Sequence, residues 1–244
     1  MRATPIPTPE LAIKPGSESD LIWGFFERRH EGIFVEVGAC RPRLGSQSWF
    51  LEEQGWRGVL IEPQPSLARE LRIERPHSLV FQVACAAPGH REQSTFHVAE
   101  APSHSSLLKN KVDASTKYIR TETVTLLTLD AVLEKASLSP IDFVSIDVEG
   151  TQLDVLQGFS LQRHRPALLL IEDHLHTLKV HRHIQRNGYR LVKRTNLNDW
   201  YVPKEQPFLM STLGERLRLW KKVWANTPFR KMRIFIERQK AQRG

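Results

Sequence analysis

Two acidic residues and a glycine follow a short apolar run near the middle of the chain, in residues 141–150 (IDFVSIDVEG). The run predicts a buried strand that ends in Asp147 and Glu149. In open α/β sheets, ligands bind at the carboxyl ends of the strands. Carboxylates in such a place can remove a proton from a bound hydroxyl. We therefore expect Asp147 and Glu149 to meet a small molecule.

Further groups with the same chemistry lie at the predicted ends of neighbouring strands. Glu172 ends the run PALLLIE (166–172), His174 follows it, and Asp199 opens the last predicted strand. We expect Asp147, Glu172 and His174 to converge, with His174 or Asp147 as the base, because imidazole titrates near neutral pH and burial raises the pKa of a carboxyl group. Alternatively, these side chains and Asp199 hold a divalent metal ion that orients the hydroxyl.

Two nearby histidines, His181 and His183, raise the question of a larger metal cluster. They lie two positions apart on a predicted helix, so their side chains face different directions. We expect both of them to be solvated rather than to bind a metal ion.

A second set of residues indicates a nucleotide site at the start of the sheet. Gly38 ends the first predicted strand (33–38), and Glu62 ends the second (58–62). Small residues after the first strand let a ligand approach the backbone, and an acid after the second binds a ribose. The alternative is a plain turn at Gly38 and a solvated Glu62. The next glycine is Gly45, so the dinucleotide pattern G-x-G-x-x-G does not occur, which disfavours hydride transfer and favours adenosyl binding.

Strands and helices alternate along the chain, which predicts an α/β fold. The predicted helices cover 20–30, 46–54, 66–75, 129–136, 151–158 and 178–187, and the predicted strands cover 33–38, 58–62, 79–87, 95–99, 123–128, the run from 141, 166–172, 189–193 and 199–202. This order predicts a mostly parallel sheet with helices on both faces. The turn-rich residues 195–198 predict a terminal antiparallel hairpin.

Length and composition suit one domain with two appendages. We expect a loose N-terminal arm at 1–19, a single domain at 20–204 and an extension at 205–244. No apolar run of about 18 residues occurs, and the first residues have no apolar core of the kind a secretory signal needs. With only Cys40 and Cys85, a reducing compartment is favoured. We infer a cytoplasmic protein, with peripheral contact at the inner face of the membrane as an option.

The net charge of +8 is concentrated at the C-terminal end. Residues 213–244 contain ten Lys or Arg and two Glu, so the first 212 residues are neutral overall. Apolar residues alternate with the basic ones there, which predicts a basic amphipathic helical tail. The tail either packs on the domain or lies on an anionic membrane, where basic residues and tryptophans both contribute. The neutral body argues against a nucleic-acid partner.

Several segments, taken in order, resemble the FkbM family of S-adenosylmethionine-dependent methyltransferases. They are residues 33–65, Thr-Leu-Asp at 128–130, IDFVSIDVEG at 141–150, IEDH at 171–174, Gly188-Tyr189 and Asp199-Trp200-Tyr201. The resemblance covers residues 20–203 and implies a class I methyltransferase (Rossmann-like) fold. It departs from the family at Cys40-Arg41-Pro42, where relatives typically carry Asn-Asp-Gly.

The resemblance also implies a cofactor, S-adenosyl-L-methionine, and residues that bind it. Glu36, Gly38, Ala39 and Gln47 are expected near its methionine part, Glu62 on its ribose, and Ala84 and Cys85 beside its adenine. The implied reaction is O-methylation of a sugar hydroxyl on a glycolipid, a lipo-oligosaccharide or a surface-glycan precursor. One member role is 2-O-methylation of a deoxyhexose on a nodulation-type lipo-chitooligosaccharide. A polyketide-type hydroxyl is the alternative substrate, and a non-catalytic nucleotide-binding module or a membrane-recruited scaffold is the alternative function.

Overall fold

Strands and helices alternate over the part of the chain that the computed structural model describes, which is residues 13–109, 116–173, 178–195, 197–207 and 213–220 together with Met232. The helices are α1 (Glu18–Phe25), α2 (Trp49–Glu53), α3 (Pro65–Glu74), α4 (Leu129–Ala136), α5 (Gln152–Gln157), α6 (Leu161–His164), α7 (Leu178–Arg186) and α8 (Leu213–Trp220). The strands are β1 (Ile33–Val37), β2 (Arg57–Ile61), β3 (Ser78–Phe81), β4 (Ala84–Cys85), β5 (Gln93–Ala99), β6 (Tyr118–Leu127), β7 (Phe143–Ile146), β8 (Leu168–Glu172), β9 (Tyr189–Thr195) and β10 (Asn198–Pro203).

Seven of these strands form the central sheet, in the order β3-β2-β1-β7-β8-β10-β9. Neighbouring strands from β3 to β8 run parallel, whereas β10 is antiparallel to both β8 and β9. This confirms the predicted Rossmann-like sheet with its terminal hairpin. The strand order reverses beside β1, where the chain continues to β2 on one side and β7 lies on the other. A crevice opens at such a switch point, outside the carboxyl ends of the strands.

Helices cover both faces of the sheet, so its central strands are apolar on both sides. On one face, Val35 and Val37 pack with side chains of α4, α5 and α7. On the other, Phe34 packs with side chains of α1, α2 and α3. Because side chains alternate along a strand, Glu36 shares the face of Phe34 and is buried there, with 3% of its surface exposed.

A smaller sheet, β4-β6-β5, stands beside the main one. The prediction of one strand over 79–87 was wrong, because the chain leaves the main sheet after Phe81 and Ala84 pairs with Leu126 of β6. An unbroken apolar run does not reveal that the pairing partner changes. β5 and β6 form a long antiparallel pair, and the chain between them includes a short 3₁₀ turn at Pro102–His104.

Two expectations concern the C-terminal part of the chain, namely the histidines of α7 and the basic tail. His181 of α7 is buried and bonds to the Tyr201 hydroxyl, and the ring of His183 lies 3.1 Å from the Leu156 carbonyl oxygen, so the prediction that both are solvated was wrong.

Of the predicted basic tail, α8 lies within the described residues, together with Met232. No helix among the described residues has the length and apolarity needed to cross a bilayer.

Candidate active site

The loop after β1 is held by a buried carboxylate. Glu36 accepts hydrogen bonds from the hydroxyls of Ser46 and Ser48 and from the backbone N–H of Gln47, at 2.9, 2.5 and 2.6 Å. Both of its oxygens are therefore used to fix residues ten to twelve positions further along the chain. We conclude that Glu36 shapes the loop that borders the crevice.

A buried ion pair fixes the same loop from the other side. Arg75, just after α3, pairs with Glu52 of α2 at 2.5 Å, and both side chains are almost fully buried. The Arg75 guanidinium also donates to the carbonyl oxygen of Pro42 and to the hydroxyls of Ser46 and Ser48, at 3.0 to 3.2 Å. The Cys40-Arg41-Pro42 segment, which has no glycine, is thus held by a charge-assisted network.

Gly38 lies where three strand ends meet. Its backbone is left-handed, with φ of +85°, and its N–H donates to the carbonyl of Ile61 at the end of β2. A Cβ atom on Gly38 would lie 1.8 Å from the carbonyl oxygen of Asp147, just after β7. No side chain fits in that space, so a glycine is required here.

Glu62 follows β2 and faces this loop. Its two oxygens accept the N–H groups of Cys40 and Gln64, at 3.0 and 2.8 Å. The residue is 3% exposed, which excludes the solvated alternative, and burial raises its pKa to about 7. Each carboxylate oxygen can accept a further hydrogen bond, so the group still has capacity for two ligand hydroxyls.

The backbone N–H of Cys40 donates to the Glu62 carboxylate from an uncommon backbone conformation. Its φ is +50°, a left-handed value that Asn and Asp adopt more readily than other residues with a Cβ atom. A left-handed conformation typically costs a residue with a Cβ atom about 1 to 3 kcal/mol, and the N–H of Cys40 bonds to Glu62 in this conformation.

Three acidic side chains meet at the ends of β7 and β8. One carboxylate oxygen from each of Asp147, Glu149 and Glu172 lies within 4.8 Å of the others. Glu149 has a left-handed φ of +45°, and its carbonyl oxygen accepts the hydroxyl of the buried Ser106 at 2.9 Å. Ser106 belongs to the chain between β5 and β6, so this inserted segment braces the turn that carries Glu149.

The protonation of Asp147 differs from that of an ordinary carboxyl group. Its pKa is raised well above the usual value, first by burial, then by a hydrogen bond with Glu172 and by the negative charges of Glu172, Glu149 and Glu36. A carboxylate with a raised pKa is a stronger base once it is ionised. The three acids also offer the oxygen ligands that Mg²⁺ and Ca²⁺ prefer.

A cavity of about 520 Å³, partly open to solvent, joins Glu62 to Asp147 and Glu149. Its lining includes the apolar side chains of Val83, Ala84, Cys85 and Phe96. Pro102, Ser103, Ser105 and Leu107 of the inserted segment form another part of the wall.

The family model of the FkbM methyltransferase domain matches residues 36–191, from the Glu36 of β1 to β9. The chain belongs to this family. A comparison with curated proteins finds no match. The matched range includes the whole crevice, both loops that border it and the inserted segment, so the cavity lies within the FkbM methyltransferase domain.

The FkbM domain brings six of the predicted site residues together around the cavity. These six are Gly38, Glu62, Ala84, Cys85, Asp147 and Glu149. Glu172 joins them through Asp147. Glu36, Ala39 and Gln47 are not among the described residues that line the cavity, and their contact with a cofactor stays a prediction.

Another predicted site residue, Asp199, does not join the acids. Asp199 pairs with Arg194 at 2.5 Å, both side chains being fully buried, and Arg194 also donates to the carbonyl of Asp173. Within the described part of the chain, Glu149 and not Asp199 is the third acid beside Asp147 and Glu172. His174 lies outside the described residues.

The two cysteines of the FkbM domain both line the cavity, but neither is a nucleophile near neutral pH. Burial raises the pKa of Cys85 to about 12, and burial together with the charge of Glu62 raises that of Cys40 to about 12. Both side chains therefore remain protonated thiols, which react poorly.

Proposed function

We propose that the protein is an S-adenosylmethionine-dependent O-methyltransferase that acts on a hydroxyl of a sugar-containing acceptor. The observation that carries the proposal is the single cavity that connects the buried Glu62 to the acids around Asp147. Methyl transfer to an alcohol needs two reactants held in line and a base near the hydroxyl. The two ends of the cavity match these two needs.

The cofactor end fits S-adenosylmethionine. Glu62 can accept the two ribose hydroxyls on its remaining lone pairs, while the small side chains of Ala84 and Cys85 leave an apolar slot for adenine. Gly38 has a left-handed backbone and no side chain, so a ligand can approach the main chain closely there. When bound, S-adenosylmethionine supplies an electrophilic methyl group on a sulfonium sulfur.

The acceptor end favours a neutral molecule with several hydroxyls. Ser103, Ser105 and Thr151 line the cavity. Among the described lining residues, the acidic ones are Asp147, Glu149 and Glu62. Neighbouring carboxylates repel anionic acceptors and accept hydrogen bonds from hydroxyls. These features suit a sugar hydroxyl. We propose a glycolipid, lipo-oligosaccharide or surface-glycan precursor as the acceptor, with a deoxyhexose of a nodulation-type lipo-chitooligosaccharide as one candidate.

Asp147 is the group best suited to take the proton from the acceptor hydroxyl. It lines the cavity, and Glu172 hydrogen-bonds to it from the neighbouring strand. The proton can therefore be shared within a pair of carboxyl groups. A raised pKa makes Asp147 a better proton acceptor than an exposed carboxylate would be.

The function is tested by comparing the glycolipids of cells with and without the gene by mass spectrometry. We expect one species to lose a methyl group when the gene is deleted, and to regain it when the extract is incubated with the purified protein and S-adenosylmethionine. An unchanged glycolipid profile, with no label transferred from methyl-labelled cofactor to the extract, would reject the sugar acceptor.

Chelation separates a carboxylate base from a metal-assisted reaction at the same acids. We expect EDTA to leave methyl transfer unchanged, because the raised pKa of Asp147 suits this side chain to accept the proton itself. If EDTA abolishes the activity and Mg²⁺ restores it, then Asp147, Glu149 and Glu172 bind a metal ion instead.

The Glu172→Gln variant should move the acid limb of the pH–rate profile to lower pH. Asp147 must be ionised to act as a base, so wild-type activity is lost as the pH falls through its raised pKa. Removing Glu172 removes a negative charge and a proton-sharing partner, which lowers that pKa although burial still raises it. The measurement is kcat against pH with the acceptor found by mass spectrometry.

The matched control for this prediction is Glu134→Gln, because Glu134 is an exposed residue of α4 paired with Arg163 on the surface. Its acid limb should coincide with that of the wild type. An acid limb that stays in place in Glu172→Gln as well would show that Asp147 is not the titrating base.

A further inference from the structure

The edge strand β9 is flanked by a basic helix face. Lys179, Arg182 and Arg186 of α7 are exposed and lie three and four positions apart, so they share one face of the helix. No Asp or Glu occurs between Asp173 and Asp199, so nothing in this stretch of sequence neutralises them. The α7 helix packs against β9. This face of α7 therefore carries three exposed basic side chains without an acidic residue among them.

The helix α8, which contacts the same strand, has an exposed apolar face. Leu213, Leu217 and Trp220 of α8 are 75%, 62% and 61% exposed, and their spacing of four and three positions puts them on one face. They are three of the nine large apolar side chains that are exposed among the described residues. Single apolar residues scattered over a surface are ordinary. Three of them on successive turns of one helix face form an apolar patch. The α8 helix packs beside β9, as α7 does.

We propose that the α7 face (Lys179, Arg182 and Arg186) and the α8 face (Leu213, Leu217 and Trp220) together form a docking surface for an anionic lipid bilayer. Basic side chains attract the headgroups, and Leu and Trp side chains enter the interface between headgroups and acyl chains. The sequence from 213 onwards adds ten basic residues against two acidic ones. The inference does not depend on the acceptor or on the methyl-transfer chemistry.

Charge decides between a bilayer and the other occupants of such a surface. A second copy of the chain offers a body without net charge over residues 1–212, so it has no excess of acid to match the basic face. A nucleic acid matches the positive charge but leaves the apolar stripe of α8 without a partner. An anionic bilayer satisfies both halves of the surface.

Vesicle flotation with the full chain tests the proposal. We expect the protein to float with vesicles of phosphatidylcholine mixed with phosphatidylglycerol, and not with vesicles of phosphatidylcholine alone. Binding should fall steeply between about 0.05 and 0.5 M salt, because screening shortens the reach of the charges. Binding to both kinds of vesicle at equal strength, or to neither at low salt, would overturn the proposal.

Two variants test the two halves of the surface against matched controls. The double variant Arg182→Glu and Arg186→Glu, and the double variant Leu217→Asp and Trp220→Asp, should each weaken binding by about tenfold or more. The controls are Arg69→Glu with Arg72→Glu, and Ile73→Asp, in α3. These residues are likewise exposed, but α3 packs on β3 at the opposite edge of the sheet.

The controls should bind the vesicles like the wild type. If they lose binding equally, the attraction is a diffuse effect of net charge and the proposed surface is wrong. Competition with a DNA duplex at low salt provides the last check. If duplex displaces the vesicles and the Leu217→Asp and Trp220→Asp variant binds vesicles normally, the surface is a nucleic-acid site instead.

Discussion

In the Asp147→Asn variant, we expect methyl transfer to slow by a factor of about 10² to 10⁴, which is the usual contribution of a positioned base. Asparagine keeps the size of the side chain and one carbonyl oxygen but cannot accept the proton. The main-chain contacts of residue 147, with its N–H on the Val37 carbonyl, do not involve the carboxylate. The loss should therefore appear in kcat.

The affinity for the cofactor should stay close to that of the wild type in Asp147→Asn, measured by calorimetry with S-adenosylhomocysteine. The exposed Asp154 of α5 provides the matched control, and Asp154→Asn should leave both quantities unchanged. If Asp147→Asn retains most of its turnover, then another group accepts the proton. The first residue to test would be His174.

The parts of the fold that could be predicted are those in which local sequence pattern and burial agree. β1, β2 and β7 are buried on both faces, so each is a short and mostly apolar run with no competing pattern. The predicted helix at 129–136 matches α4 residue for residue, because Thr128 caps it through the Ala131 N–H and Ser137 ends it in a left-handed conformation. Such signals come from residues that are only a few positions apart in the sequence.

The carboxyl ends of these strands could be predicted for the same reason. Once β1, β2 and β7 are recognised as parallel strands, Gly38, Glu62 and Asp147 must lie at one edge of the sheet. Strand direction and strand order are therefore enough to predict that these three residues line one cavity.

The rest of the site depends on contacts between residues that are distant in sequence. Arg75 and Glu52 are 23 positions apart, and nothing in their neighbourhood distinguishes them from exposed charges. Ser106 meets the Glu149 carbonyl across 43 positions, through an insertion whose path the strand pattern does not determine.

Asp199 illustrates the opposite error. It pairs with Ile171 of β8 in register, close in the sheet to the predicted acid cluster, yet its side chain pairs with Arg194 on the other strand of the hairpin. The sequence thus offers Asp199 for an alternative metal site, whereas the acids that meet in the described part of the chain are Asp147, Glu149 and Glu172. The direction of a side chain depends on strand pairing and on bulges, such as the one between Trp200 and Tyr201.

The Glu62→Gln variant should weaken the binding of S-adenosylmethionine by about 1.5 to 3 kcal/mol, or roughly tenfold to a hundredfold in Kd, because hydrogen bonds to a charged acceptor are replaced by weaker ones. Glutamine keeps an oxygen for one of the two N–H groups of Cys40 and Gln64, so the loop should stay folded. Glu62→Ala removes both acceptors and should bind more weakly still. Glu31→Gln is the control, since Glu31 is exposed and precedes β1 at the opposite end of the strands.

The pH dependence of binding distinguishes a direct ribose contact from a purely structural role of Glu62. Burial raises its pKa to about 7, so the carboxylate is largely protonated below that pH and ionised above it. If the ribose hydroxyls donate to the ionised form, wild-type affinity for S-adenosylhomocysteine rises as the pH increases through about 7, and the cofactor in turn lowers the pKa of Glu62. Glu62→Gln has no such group and should lack this rise. Parallel pH profiles for the two proteins would remove Glu62 from the cofactor site.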